Sequence, residues 1–208
     1  MYRKFFKRFI DITLSLIGIF VLSPLFLVMA LVIKIDDGGP VLYKQRRIGL
    51  NKRHFTIYKL RTMKINTPEI TTHLLENPEQ YITRAGRFFR RNSLDELPQL
   101  FNILLSQMTI IGPRPALWSQ YDLIEERDEY GANDIKPGLT GWAQINGRDK
   151  LEISAKAKLD GEYVEKMSFF FDCMCFFRTI SYVLRREGIV EAAQTTTRKK
   201  TISMGKDV

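Results

Sequence analysis

Cysteine and histidine are scarce in this 208-residue chain: Cys173 and Cys175 share one aromatic segment, and His54 and His73 lie far apart. Two neighbouring thiols make neither a disulfide framework nor a zinc spacing, and they read as buried thiols in a reducing compartment. The histidines have no Cys-x-x-Cys companion, read as surface or loop residues, and suggest no histidine-based triad. No dinucleotide-binding or Walker glycine pattern and no internal repeat occurs. Charge is missing along one stretch: from Ile12 to Ile33 the sequence ITLSLIGIFVLSPLFLVMALVI carries no charged residue.

That stretch, at ~1.5 Å rise per residue, is long enough to span a bilayer core of about 30 Å. It is too long for a signal peptide, and no small-x-small cleavage site follows it. Ser23-Pro24 sits at its centre, where proline removes a backbone donor and bends or breaks a helix; the Ser23 hydroxyl can satisfy part of the freed backbone. Both flanks are basic: Arg3, Lys4, Lys7 and Arg8 before it, Lys34, Lys44, Arg46 and Arg47 after it. Positive residues stay on the cytoplasmic side. A kinked single span and a re-entrant hairpin that dips into one leaflet both fit these residues.

The formal net charge of +9 calls for an anionic partner: phosphorylated substrate, anionic lipid or nucleic acid. Val41–Tyr43 and the alternating Phe55–Leu60 read as short strands around Gly49-Leu50-Asn51-Lys52. Leu94, Leu97, Phe101, Leu104, Leu105 and Met108 recur at helical spacing. Ser93 with Glu96 matches a capping box, and Pro98 pins the helix start near Ser93–Asp95. A short strand at Thr109–Ile111 leads to Gly112-Pro113-Arg114-Pro115. A polar helix over 117–130, a Gly-rich loop around Trp142, and helices near 150–165 and 169–186 complete the pattern. The aromatics Phe169–Phe171, Phe176 and Phe177 are read as core, with a membrane interface as the other option.

Asp95-Glu96 carries the chemical interest. A carboxylate at a helix N-terminus beside guanidinium groups stays ionised, as a carboxylate nucleophile must. Two adjacent carboxylates also suit Mg²⁺, which takes one or two carboxylates plus phosphate oxygens. Arg90, Arg114 and Arg148 are candidates to hold phosphate bidentately. On these residues alone, ordinary first-turn capping is the better explanation of the acidic pair.

Taken together, the Ser23-Pro24 dipeptide, Gln45–Gly49 (QRRIG), Tyr58–Met63 (YKLRTM), Ser93–Gln99 (SLDELPQ), Gly112–Pro115 (GPRP) and Lys136–Arg148 (KPGLTGWAQINGR) resemble the monotopic bacterial phosphoglycosyl transferases, the bacterial sugar transferase family. The resemblance implies an α/β, mostly helical chain. Residues 1–36 would form a basic N-terminus and a re-entrant membrane helix hairpin broken at Ser23-Pro24. Residues 37–192 would form a small cytosolic catalytic domain with interfacial amphipathic helices and short strands, and 193–208 a flexible polar tail. The chain would be a minimal catalytic version, without the further spans of larger relatives.

The implied reaction moves a sugar-1-phosphate from a UDP-sugar to a polyprenyl (undecaprenyl) phosphate through a phosphosugar on Asp95, releasing UMP and starting glycan assembly. Glu96 would help Asp95 hold Mg²⁺; Lys59, Arg61, Arg90, Arg114 and Arg148 would bind phosphate. The expected setting is the cytoplasmic face of a bacterial inner membrane, with membrane lipids and a homodimer as further partners and no nucleic acid. Two rivals are a membrane-anchored Mg²⁺-dependent nucleotide-sugar pyrophosphatase and a membrane-tethered basic module without catalysis.

Overall fold

The computed structural model describes residues 2–67, 77–147 and 150–184. His73, Arg148 and the 193–208 tail lie outside these residues. After a π-helical turn at Tyr2–Phe6, helix α1 runs Lys7–Asp37. An antiparallel hairpin follows, β1 (Leu42–Ile48) with β2 (His54–Leu60). The turn between them puts Asn51 and Lys52 at positive φ. Helices α2 (Arg84–Arg91) and α3 (Gln99–Leu104) flank a 3₁₀ turn at Leu94–Glu96. Strand β3 (Thr109–Ile111) pairs in parallel with β4 (Gly138–Thr140), with α4 (Tyr121–Glu129) between them. Helices α5 (Trp142–Ile145), α6 (Ile153–Lys166) and α7 (Phe169–Leu184) close the described chain. Among the described residues the architecture is mostly helical with two small two-stranded sheets.

Helix α1 is not broken at Ser23-Pro24. Proline leaves the carbonyl four residues earlier, that of Phe20, without its donor. The Ser23 hydroxyl donates to that same carbonyl at 2.8 Å, so the orphaned acceptor is satisfied and the helix continues. The expected break gives way to one continuous 31-residue helix.

One stripe of α1 packs along the rest of the molecule: Lys7, Asp11 and Ser15, then Ile19 and Leu22, then Phe26, Met29 and Ile33. Steps of three and four residues keep these on one face. The other faces present Leu14, Leu16, Ile17, Phe20, Val21, Leu27, Val28, Leu31 and Ile35 to the surroundings. The helix is long and apolar enough to cross a membrane, with 11% of its most apolar window buried.

Both ends of α1 are tied to the same body. At the N-terminal end Lys7 Nζ donates to the Ile111 carbonyl at 2.9 Å and pairs with Asp172 at 2.5 Å. Asp11 accepts from Ile110 N–H and Thr109 Oγ1 at 2.9 and 2.7 Å, and Arg8 donates to the Ile103 and Leu104 carbonyls. At the C-terminal end Asp37 pairs with Arg61 at 2.9 Å and Asp36 accepts from Ala85 N–H at 3.1 Å. Between the ends, Phe26 meets Phe101 of α3, and Gly18 lies against Leu100.

The main core joins Ile57 of β2, Leu100 and Ile103 of α3, Met108 just ahead of β3, Ile110 and Ile111 of β3, Tyr163 of α6 and Cys175 of α7. Each Ile, Leu or Met among them contributes about 1.5–3 kcal/mol by leaving water. Burial pushes the Cys175 thiol up to about 12. It is an inert packing residue, as read from the sequence. The aromatics of α7 divide differently from the expectation. Phe171 packs on the core against Trp142, whereas Phe170 and Phe177 are 83% and 66% exposed. An all-core reading fails because aromatic positions 169, 170, 176 and 177 fall on more than one helical face.

Candidate active site

Four elements converge on the Leu94–Glu96 turn. Ser93 enters it at φ 54°, in the left-handed region, which turns the chain sharply off the end of α2. The expected capping box does not form: Ser93 makes no side-chain cap, and α3 starts only at Gln99, behind Pro98. Asp95 and Glu96 therefore sit on a separate turn ahead of the helix. The reason lies in Glu96, whose carboxylate has better partners than the Ser93 backbone. Its Oε1 accepts from Lys59 Nζ at 2.8 Å and from Arg114 at 2.6 Å, and Oε2 accepts from Arg114 at 3.3 Å. Glu96 is 8% exposed. A buried carboxylate is tolerated when cations meet it with directed hydrogen bonds.

Lys59 comes from β2 on the far side. Asn102, fully buried in α3, ties that strand down by accepting from Tyr58 N–H at 3.0 Å and donating to the Thr56 carbonyl at 2.7 Å. Burial lowers the Lys59 ammonium; Glu96 holds it up. Arg114 comes from the loop after β3. That loop is locked to Lys136–Gly141: Gly112 N–H donates to the Thr140 carbonyl, and Gly138 N–H to that of Pro113, both at 2.8 Å. A Cβ at Gly138 or Gly141 would collide with the Gly112 backbone, so glycine is needed for this close approach. Arg47 donates to the Pro115 carbonyl at 2.9 Å. Arg127 donates to the Arg114 carbonyl at 3.0 Å while paired with buried Asp160 at 2.5 Å.

Arg90, at the end of α2, donates from Nε to Thr62 Oγ1 at 2.8 Å. Burial lowers its guanidinium, and the Asp95 charge opposes that. Asp95 is half-buried, and among the described residues no hydrogen bond or ion pair reaches its carboxylate. Burial first, and the Glu96 charge second, push its carboxyl above the ordinary 3.8, while Lys59, Arg90 and Arg114 pull the other way. Desolvation thus outweighs the guanidinium groups expected to hold this carboxyl down.

Thus Lys59, Arg90 and Arg114 act together on the Asp95-Glu96 pair. Arg61 does not join them: its guanidinium is buried under Gly39 and paired with Asp37. β2 ends at Leu60, so strand alternation no longer fixes where Arg61 points. Sequence reasoning gave no role to Thr62, Arg127, Asp160 or Asn102. Thr62 stands within the Tyr58–Met63 run, and the other three carry no local signature.

Residues 2–186 match the family model described as bacterial sugar transferase. An uncharacterized sugar transferase of Bacillus subtilis, EpsL, is 38% identical over 94% of this chain and 95% of its own length. An undecaprenyl-phosphate glucose phosphotransferase of Komagataeibacter xylinus is 40% identical over 84% of this chain. An undecaprenyl-phosphate galactose phosphotransferase of Salmonella typhimurium is 34% identical over 89% of it. The matched parts are 35% and 42% of those two longer proteins.

Proposed function

The chain belongs to the bacterial sugar transferase family, and we propose that it transfers a sugar-1-phosphate from a UDP-sugar to a polyprenyl phosphate, with Asp95 as nucleophile. The observation that carries the assignment of Asp95 is its contrast with Glu96. Glu96 accepts from Lys59 and Arg114; among the described residues no hydrogen bond or ion pair reaches the Asp95 oxygens, which lie within the field of three cations. A carboxylate that must form a bond to phosphorus needs free lone pairs, and the cations stabilise the phosphoryl oxygens as charge builds on them.

In the first step an Asp95 oxygen attacks the phosphorus that bears the sugar. The phosphorus–oxygen bond to UMP breaks, and UMP leaves with the bonding pair. In the second, a phosphate oxygen of the polyprenyl phosphate attacks the same phosphorus and expels the Asp95 carboxylate. Arg90, Arg114 and Lys59 bind the diphosphate and orient it for in-line displacement. Adjacent carboxylates, one of them with no hydrogen-bond partner among the described residues, fit Mg²⁺, whose shell is completed by substrate oxygens and water. Bound by Asp95 and Glu96, the ion would neutralise diphosphate charge.

We place the reaction at the cytoplasmic headgroup level of a membrane, with the unbroken α1 entering one leaflet and both its ends on the cytoplasmic side. The two-ended attachment of α1 supports this. A helix of about 46 Å, at 1.5 Å per residue, exceeds a ~30 Å hydrocarbon core. Yet both its ends bind one domain, so a simple crossing would put that domain on both sides of the bilayer. Relatives named for exopolysaccharide production, such as ExoY of Rhizobium meliloti, at 34% identity over 88% of this chain, support a role in starting an exopolysaccharide.

The test is a panel of UDP-sugars with undecaprenyl phosphate and Mg²⁺. At least one donor should give UMP and a sugar-diphosphate lipid in equal amounts, and Asp95→Asn should give neither. UMP release without any lipid product would instead indicate a hydrolase.

A further inference from the structure

Tyr43 stands at the edge of the site and has no part in the chemistry described above. In the β1–β2 ladder it lies directly across from Lys59. Residues opposite one another in an antiparallel pair carry their side chains on the same face. The face that sends the Lys59 ammonium to Glu96 therefore also carries the Tyr43 ring. Burial lowers the Arg90 guanidinium, and Asp95 and then Tyr43 oppose it, so the phenol is within electrostatic range of Arg90 as well. The ring borders the Lys59 and Arg90 side of the Asp95 turn.

The rest of its row is engaged elsewhere. Gln45 and Arg47 follow on the same face of β1. Arg47 donates to Gln45 Oε1 at 2.7 Å and to the Pro115 carbonyl at 2.9 Å. Tyr43 is 48% exposed, and among the described residues no hydrogen bond reaches its hydroxyl. A half-exposed ring with an open hydroxyl, beside Lys59 and Arg90, suits a ligand that is apolar at one end and anionic at the other.

Direction along the hairpin says which ligand that is. The Leu42/Leu60 end is tied to the exit of α1: Arg61 N–H donates to the Val41 carbonyl at 2.9 Å, and the Arg61 guanidinium pairs with Asp37 at 2.9 Å. Ile35 and Leu42 are exposed at this end. At the other end Ile48 N–H donates to the Ala116 carbonyl at 3.0 Å, beyond Arg114. Tyr43 and Lys59 form the second rung from the α1 end. A chain that comes from the apolar helix to the phosphate-binding side chains therefore passes Tyr43.

We propose that Tyr43 binds the acceptor: its ring packs on the first isoprene units of the polyprenyl phosphate, and its hydroxyl donates to the phosphate that attacks. This inference rests on the transfer and membrane placement proposed above. The two half-reactions separate this use of the ring from others. Uracil takes part only in the first, the sugar in both, and the prenyl chain only in the second.

The full chain in detergent micelles tests it, with the two steps read apart. UMP released on mixing with donor alone gives the first step; discharge of the preformed phosphosugar by undecaprenyl phosphate gives the second. Tyr43→Phe should raise the half-saturating acceptor concentration roughly tenfold, as for loss of a hydrogen bond to a charged group. Tyr43→Ala should raise it a further severalfold by removing the ring. UMP release, in which no acceptor takes part, should keep its dependence on donor in both variants. Farnesyl phosphate, the same head on a short prenyl tail, should show the same ratios, because only the first units meet the ring.

A loss confined to UMP release would put the ring on the nucleotide, and equal losses in both steps would put it on the sugar or mark a folding defect; either overturns the proposal. So does a Tyr43→Ala chain discharged like the native one. A loss seen with undecaprenyl phosphate and absent with farnesyl phosphate also overturns it, by marking a contact far along the chain or with the membrane. If the native chain releases no UMP from any UDP-sugar, the transferase reading itself fails and takes this inference with it; native-like discharge in the variants after normal UMP release removes only the role of Tyr43.

Discussion

Arg90 and Thr62 share one hydrogen bond, Nε to Oγ1 at 2.8 Å, and it fixes a guanidinium whose charge acts on Asp95 and which we propose binds phosphate through its terminal amino groups. Thr62 is held in turn, because its carbonyl accepts from Thr83 N–H at the cap of α2. Thr62→Val keeps the shape and removes the acceptor. Hydrogen bonds to charged groups are worth about 1.5–3 kcal/mol, so kcat/KM for the donor should fall by roughly tenfold or more. Thr62→Ser should recover most of it. In an Arg90→Lys background Thr62→Val should cost nothing further, whereas a purely structural defect would add.

Glu96→Gln removes the charge that Lys59 and Arg114 share. Breaking a buried pair by deleting one partner costs about 3–5 kcal/mol, while deleting both is far milder. The single variant should therefore melt well below the native protein, and Lys59→Met/Glu96→Gln should melt closer to it. Both should be nearly inactive. Thermal unfolding in detergent and UMP release measure the two effects separately.

Arg127 and Asp160 give a similar separation farther from the chemistry. Replacing them together by Met and Leu should leave stability within a few kcal/mol or raise it, since a buried ion pair exchanged for apolar volume is often neutral. The rate should still drop, because the Arg114 carbonyl loses its donor. Arg127→Met alone strands Asp160, whose carboxyl burial already pushes up, and should be strongly destabilising. Melting curves and donor kcat/KM decide.

The pH dependence follows from the upward shift of Asp95. Its carboxyl is raised above 3.8 in the folded chain, so between the unfolded and folded values the native state binds more protons, and stability falls as pH rises through that window. The penalty is absent below 3.8 and complete above the raised value. Asp95→Asn removes it, so this variant should melt higher than the native protein at neutral pH, and the gain should vanish in acid. Melting temperature against pH, read without Mg²⁺, measures this.

Much of this was readable in the sequence. The apolar run, the alternating Phe55–Leu60 strand, Thr109–Ile111 and the helix from Phe169 all appear because periodicity and burial are local properties. The errors share a cause, which is the non-local partner. Pro24 should end a helix, but the hydroxyl beside it caps the orphaned carbonyl. Ser93 and Glu96 have the spacing of a capping box, but Lys59 and Arg114, distant in sequence, compete for the carboxylate. Arg61 sits two residues from Lys59, yet Asp37 of α1 draws it away. Thr62, Arg127 and Asn102 act only through residues that the fold brings to them.

The central claim is a bond between Asp95 and phosphorus, and intact-protein mass spectrometry after mixing with donor alone reads it directly. The native chain should gain the mass of one phosphosugar, localise it to the peptide holding Asp95, lose it when undecaprenyl phosphate is added, and show no gain after Asp95→Asn. Lipid product formed at full rate with no such adduct in rapidly quenched samples, or an adduct that persists in Asp95→Asn, would contradict the account.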